Sequence, residues 1–133
     1  MRLQQYIDGL EQFAARRGIS VQRTTLGPWV LGKVQGNHMI LRTGLSKEQQ
    51  LLTLIHELTH FLAHSESSLN RTVCEYEAEA VERLVAGQLG LRGGVPPPAD
   101  LAAITDDMLA ASVQRVRWVA RMLFLETQAA VQV

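Results

Sequence analysis

Residues 54–64 read Leu-Ile-His-Glu-Leu-Thr-His-Phe-Leu-Ala-His (LIHELTHFLAH). Three histidines and one glutamate lie within an otherwise apolar run, which has the periodicity of a mostly buried helix. Ser46, with Gln49 three residues later, has the signature of a capping box. The pattern therefore predicts a helix that begins after Ser46 and includes the histidine-rich stretch.

His56 and His60 are four residues apart, so both imidazoles lie on one helix face and can bind one zinc ion at about 2.0–2.1 Å. Glu57 is offset by about 100°, and it is better placed to act as general base on a water molecule than to bind the ion. The alternative is a polar helix face whose histidines are satisfied by neighbouring groups. Because burying imidazoles and a carboxylate without partners is costly, the apolar surroundings favour the metal site.

A catalytic zinc site usually has three protein ligands and one position for water. His64 lies about 12 Å along the helix axis from His56, which is too far for both to bind one ion. We therefore expect His64 at the end of the helix or the rim of the site. His64 and Tyr76 are candidates for stabilising an oxyanion.

A second helix, predicted over Arg71 to Gln88, supplies the candidate third ligand. On a helical wheel that starts at Val73, Glu77 falls near 40°, inside the apolar stripe. Three other glutamates fall at about 180–240° and are interpreted as a solvated face: Glu75, Glu79 and Glu82. A buried carboxylate needs a compensating charge, and a zinc ion held by the two histidines would supply it to Glu77. A salt bridge from Glu77 to a buried arginine is the alternative.

The other segments predict an α+β fold. An amphipathic N-terminal helix ends at Gly18. Residues 19–43 contain three short segments rich in apolar and β-branched residues, interpreted as a three-stranded antiparallel meander with a tight turn at Gly36-Asn37. A C-terminal helix capped by Thr105 follows the glutamate-bearing helix. We expect a single domain over residues 1–133.

The composition is that of a globular protein, with 47% hydrophobic and 20% charged residues. The 13 basic and 13 acidic residues balance, which argues against a protein whose main function is binding nucleic acid. Cys74 is the only cysteine, so an intramolecular disulfide and a cysteine-based zinc site are excluded. Without a signal-peptide pattern or an apolar run of about 18 residues, we expect a cytoplasmic protein that does not bind membranes.

The segment LLTLIHELTHFLAH (residues 51–64), followed by EYEAEAVERLVAGQLGL (residues 75–91), resembles the zincin core of the ImmA/IrrE family of metallopeptidases. It looks most similar to the variant in ArdC-type antirestriction proteins. The resemblance implies a minimal, gluzincin-like zincin fold, with Glu57 as the catalytic glutamate and zinc bound by three residues: His56, His60 and Glu77. One departure is that thermolysin-like enzymes carry an acidic residue four positions after the ligand glutamate, where this chain has Val81.

The resemblance implies a zinc endopeptidase that hydrolyses a peptide bond in one specific intracellular protein, such as a transcriptional repressor. In this hypothesis zinc activates a water molecule, while Glu57 takes its proton and later protonates the leaving amine. The strand from His38 to Thr43 is a candidate for pairing with an extended substrate, or is equally a packing surface. Two alternatives stay open: a weakly active zinc-binding domain that acts as a protein-binding regulatory module, and a metal-free helical domain with a polar network. Retention of Glu57 favours the enzyme.

Overall fold

A computed structural model describes residues 2–65, 69–91 and 106–131 of the chain. The fold class is α+β, as predicted. In chain order the elements are α1 (Leu3–Arg16), β1 (Ser20–Thr24), β2 (Gly32–Gln35), β3 (His38–Arg42), α2 (Lys47–Thr59), a π-helical turn (His60–His64), α3 (Arg71–Gln88) and α4 (Asp106–Val131). No helix in the described ranges has both the length and the apolar character required to cross a membrane.

Side-chain caps fix the beginnings of the two helices that carry the histidines and glutamates. The backbone N–H of Gln49 donates to the Ser46 hydroxyl and that of Ser46 donates to the Gln49 side chain, both at 3.2 Å. This capping box is the predicted one. Asn70 caps α3 by accepting a 2.9 Å hydrogen bond from the backbone of Val73. The predicted cap at Thr105 lies outside the described residues.

The sheet is mixed, so the predicted antiparallel meander is wrong. The strand order is β1-β3-β2, with β1 parallel to β3 and β2 antiparallel to it. Gly36, at φ +61°, forms the expected tight turn between β2 and β3. Residues 25–31, however, cross over from one side of β3 to the other, which a meander does not do. Arg42 holds this crossover, since its Nε donates to the carbonyl oxygen of Val30 at 3.0 Å.

The strand β3 takes the centre of the sheet because its Met39 and Leu41 side chains are completely buried. Both of its edges are paired, so the proposed pairing of a substrate with the strand from His38 to Thr43 is wrong. The free edges of the described sheet belong instead to the outer strands β1 and β2. Of these, β2 runs close to α2, since a Cβ added to Gly32 would lie 2.7 Å from Cγ2 of Thr53.

The four α-helices share one hydrophobic core with the sheet. The site helix α2 buries Leu54, Ile55 and Leu58 completely in this core. The opposite side of α2 contacts α3 and the edge strand β2. His56, Glu57 and His60 therefore occur where the core meets an open cleft, which leaves them partly accessible to a ligand.

Candidate metal centre

A cleft of about 980 Å³ has walls formed by α2, α3 and the edge strand β2 together with the loop before it. The predicted residues His56, Glu57 and His60 line the α2 wall. Three acidic residues line the α3 wall, namely Glu75, Glu79 and Glu82. The structure thus places the two imidazoles opposite carboxylates from a second helix.

Three donor groups converge at the base of this cleft. The Nε2 atoms of His56 and His60 are 3.3 Å apart. The carboxylate of Glu75 lies 3.2 Å from His56 Nε2 through Oε2 and 3.0 Å from His60 Nε2 through Oε1. These three residues form a group that can hold a metal ion.

The spacing of the three groups fits a zinc ion. Ligands at about 2.0–2.1 Å from a tetrahedral centre are separated from one another by about 3.3–3.4 Å. The 3.3 Å between the two imidazole nitrogens is close to this value, and each nitrogen lies 3.0–3.2 Å from a different oxygen of Glu75. Two imidazole nitrogens and a carboxylate are also a donor set that zinc favours.

Each imidazole has a second partner on the side away from the centre. Nδ1 of His56 lies 3.4 Å from Oε2 of Glu82, and Nδ1 of His60 lies 2.9 Å from Nδ1 of His64. Metal-binding histidines usually hydrogen-bond through their other ring nitrogen, which fixes the orientation of the ring. Both rings therefore present Nε2 to the same point.

Carboxylates outnumber cations around this point. Burial lowers the pKa of His56, but the hydrogen bonds to Glu75 and Glu82 outweigh burial and raise it to about 10. Hydrogen bonds from His56 and His60 hold the pKa of Glu75 well below its usual range. The site thus attracts positive charge, and a metal ion bound there would replace the proton on His56.

Glu57 lies beside the two histidines and is only 8% exposed. Burial raises the pKa of Glu57 above its ordinary value, while His56 and His60 act in the opposite direction. A carboxylate with a raised pKa is a better proton acceptor at neutral pH. A Cβ added to Gly32 would lie 3.3 Å from Cγ of Glu57, so the edge strand also limits where this carboxylate can move.

Glu77 is buried, as predicted, but the structure does not bring it to His56 and His60. Its side chain is 1% exposed and lies between α3 and α4. Arg115 donates to both of its carboxylate oxygens, at 2.7 Å and 3.0 Å, and Ser112 donates to Oε2. The salt bridge to an arginine, which was the alternative interpretation of the sequence, is therefore the arrangement observed.

The interpretation of Glu75 and Glu82 as a solvated face is wrong. Both point away from the core, but into the cleft where the imidazoles lie. The sequence contained a signal for this arrangement. Glu79 lies four positions after Glu75, so an acidic residue does occur at this spacing from the glutamate that faces the cleft. Counting from Glu77 instead leads to Val81, where the acidic residue appeared to be missing.

Neither candidate for oxyanion stabilisation lines the cleft. The side chain of His64 is 5% exposed and lies behind His60, where its Nε2 is 2.9 Å from Glu77. Tyr76 is half-buried on α3 and is not among the residues that form the cleft walls. Two cations, Lys33 and Arg71, do lie along these walls.

Comparison with known protein families gives one result, a match to a peptidase family described as the IrrE N-terminal-like domain. The match covers residues 14–120, which is most of the chain and includes the whole of the cleft. The chain belongs to this family. Membership supports a peptidase, and the histidine and carboxylate groups of the cleft are consistent with one that uses a metal. No curated protein and no solved structure shows significant similarity to the chain.

The contacts of Glu77 predict how stability depends on pH. Burial raises its pKa, but the hydrogen bonds from His64 and Arg115 outweigh burial and lower it from 4.5 to about 2. Because the folded-state pKa is the lower one, the stabilisation is complete above about pH 4.5 and is lost as the pH falls towards 2. We expect Glu77→Gln to lower the free energy of unfolding at pH 7 by roughly 2 kcal/mol.

Chemical denaturation at several pH values measures this effect. The difference between wild type and Glu77→Gln should shrink steadily between about pH 4.5 and pH 2. Glu126→Gln is the matched control, since it removes the exposed ion pair with Arg16 and should cost less than about 1 kcal/mol. A difference that is the same at every pH would show that Glu77 is not held as an anion.

Proposed function

We propose that this chain is a zinc-dependent endopeptidase whose metal ligands are His56, His60 and Glu75. The observation that carries the proposal is the convergence of two Nε2 atoms and one carboxylate, at separations of 3.0–3.3 Å, in a cleft that also holds Glu57. A purely structural metal site would have no use for an unligated, buried carboxylate beside it. Membership of a peptidase family supports the same conclusion.

Glu57 is the proposed general base. A zinc ion held by His56, His60 and Glu75 would supply Lewis-acid chemistry beside Glu57. Glu57 accepts a proton from the attacking water and later delivers it to the leaving amine. Its raised pKa suits both roles, and Gly32 of the edge strand restricts its position.

Glu75 replaces Glu77 in the proposed ligand set. Two residues along a helix correspond to a rotation of about 200°, so the two carboxylates lie on nearly opposite faces of α3. Only Glu75 faces the cleft, and the carboxylate of Glu77 is already occupied by Arg115 and Ser112. Glu79 then occupies the acidic position four residues after the ligand.

The walls of the cleft favour a polypeptide substrate in extended conformation. The edge strand β2 lines the cleft and has one side free of strand partners in the described sheet, so a substrate strand can pair with it. Three apolar residues with exposed side chains lie at the start of this wall: Trp29, Val30 and Leu31. They favour an apolar side chain in the substrate. That the substrate is a transcriptional repressor stays a prediction, as do the cytoplasmic location and the single domain.

Removing the carboxylate of Glu75 should abolish tight zinc binding. A change of Glu75→Gln should lower zinc affinity by more than about 100-fold, since losing a direct ligand costs more than losing an outer partner. Competition with a chromogenic chelator measures the affinity. Glu79→Gln is the matched control, because it removes an equal charge from the same wall and should lower the affinity much less. Similar losses in the two variants would exclude Glu75 as a ligand.

Removing the carboxylate of Glu57 should leave zinc in place and stop hydrolysis. We expect Glu57→Gln to retain stoichiometric zinc and to cleave about 10²–10⁴-fold more slowly, because a positioned general base contributes about that factor. The measurement is mass spectrometry of a proteome-derived peptide library incubated with each zinc-loaded protein. New peptide termini should accumulate with the wild type and not with the variant.

The same experiment distinguishes the endopeptidase from the alternative function, a zinc-binding regulatory module. If the wild type holds zinc but generates no more termini than Glu57→Gln, the endopeptidase is contradicted and the zinc-binding regulatory module is favoured. A wild type that does not bind zinc would contradict both.

A further inference from the structure

A buried chain of hydrogen bonds runs from the metal centre into the interior of the protein. It begins at Nδ1 of His60, which lies 2.9 Å from Nδ1 of His64. Nε2 of His64 lies 2.9 Å from Oε1 of Glu77. The side chains of His64 and Glu77 are only 5% and 1% exposed. Three elements contribute, namely the π-helical turn, α3 and α4, because these hydrogen bonds continue from Glu77 to Arg115 on α4.

Two residues of α4 hold the inner end of this hydrogen-bond chain, which is the carboxylate of Glu77. Arg115 donates through Nε and Nη2, and Ser112 donates its hydroxyl hydrogen, to the carboxylate of Glu77. The guanidinium of Arg115 contacts both carboxylate oxygens of Glu77, which is the geometry of an ion pair with a carboxylate. A carboxylate can only accept hydrogen bonds. Nε2 of His64 must therefore carry the hydrogen in this contact.

The direction of every other bond in the chain follows from that one. With its hydrogen on Nε2, a neutral His64 has a lone pair on Nδ1 and accepts there. Nδ1 of His60 is then the donor, because two N–H groups or two lone pairs facing each other at 2.9 Å would repel. A hydrogen on Nδ1 leaves Nε2 of His60 with a free lone pair, and this is the nitrogen that points at the centre.

We propose that His64, directed by Glu77, is a positioning residue that fixes His60 in the form that presents a bare Nε2 to the metal. The inference rests on the proposed zinc site and extends it to a layer of residues that do not touch the ion. It gives the buried Glu77 a role at the centre through two histidines instead of by direct ligation. It also gives α4 a role, since the helix anchors the carboxylate at the far end of the chain.

The geometry of the helix allows this contact. The segment His60–His64 is π-helical, and the two rings lie with centroids 5.1 Å apart. The π-helical turn follows directly after α2 and places His64 behind His60, away from the cleft. π-Helical turns of this kind are often found at functional sites.

Replacing His64 tests the proposal through zinc affinity. His64→Leu removes both hydrogen bonds and should lower zinc affinity by about 10–100-fold, which is typical for an outer partner of a ligand histidine. His64→Gln should recover most of that affinity, because its amide can accept from His60 and donate to Glu77. His38→Leu is the control, since His38 is exposed and its ring contacts Ser20. Both residues are far in sequence from those of the proposed metal centre. Thermal unfolding of each variant establishes that it is folded.

A second measurement does not depend on zinc or on any variant. Long-range ¹H–¹⁵N NMR correlations of the wild-type protein report which nitrogen of His64 carries the hydrogen. We expect the hydrogen on Nε2 and a bare Nδ1, with or without zinc. A hydrogen on Nδ1 with a bare Nε2 would overturn the proposal.

The two measurements separate the proposal from the metal site itself. Zinc binding by the wild type that is unchanged within twofold in a folded His64→Leu would overturn the positioning role and leave the ligand set intact. Equal losses in His64→Gln and His64→Leu would also overturn it, since only the first variant can carry the hydrogen bonds. A wild type that does not bind zinc would instead contradict the proposed function.

Discussion

The packing of α3 against α2 is the contact on which the candidate site depends. Helix α2 and the π-helical turn that directly follows it supply two imidazoles whose Nε2 atoms face each other at 3.3 Å, an arrangement that needs a third, negatively charged group. Helix α3 supplies it as Glu75. The buried faces of both helices lie in one hydrophobic core, so the distance between Glu75 and the imidazoles is set by apolar packing and not by the polar contacts themselves.

Two carboxylates on α3 have different surroundings because they lie on opposite faces. Glu77 faces α4 and is held as an anion by Arg115. Glu75 faces the cleft, and 46% of its side chain is exposed, so it can reach a ligand. A buried carboxylate with a cationic partner is a structural element, whereas a partly exposed carboxylate beside two imidazoles is a candidate ligand. His64 connects the two environments through its contacts with His60 and Glu77.

The sequence was sufficient to predict the local features. The spacing of His56 and His60 predicted their shared face, Ser46 predicted the start of the site helix, and Gly36 predicted a tight turn. The helical wheel also predicted correctly that Glu77 is buried. Each of these depends on residues close together in the chain, where helix periodicity and turn chemistry decide the outcome.

The features that depend on distant residues could not be predicted in the same way. The partner of Glu77 is Arg115, 38 positions away, and no local pattern indicates it. Glu77 was interpreted as a ligand because it falls inside the apolar stripe of α3, whereas the candidate site lies at the boundary between the core and the cleft. The mixed sheet was missed because three successive strand segments were interpreted as a meander, although residues 25–31 cross over the central strand β3.

A crystal structure of the zinc-loaded protein, with anomalous scattering recorded at the zinc edge, tests the central claim most directly. The proposed ligand set predicts one strong peak within about 2.0–2.2 Å of Nε2 of His56, Nε2 of His60 and a carboxylate oxygen of Glu75. Glu77 should remain on Arg115. An ion bound through Glu77, or one bound away from the two histidines, would contradict the account.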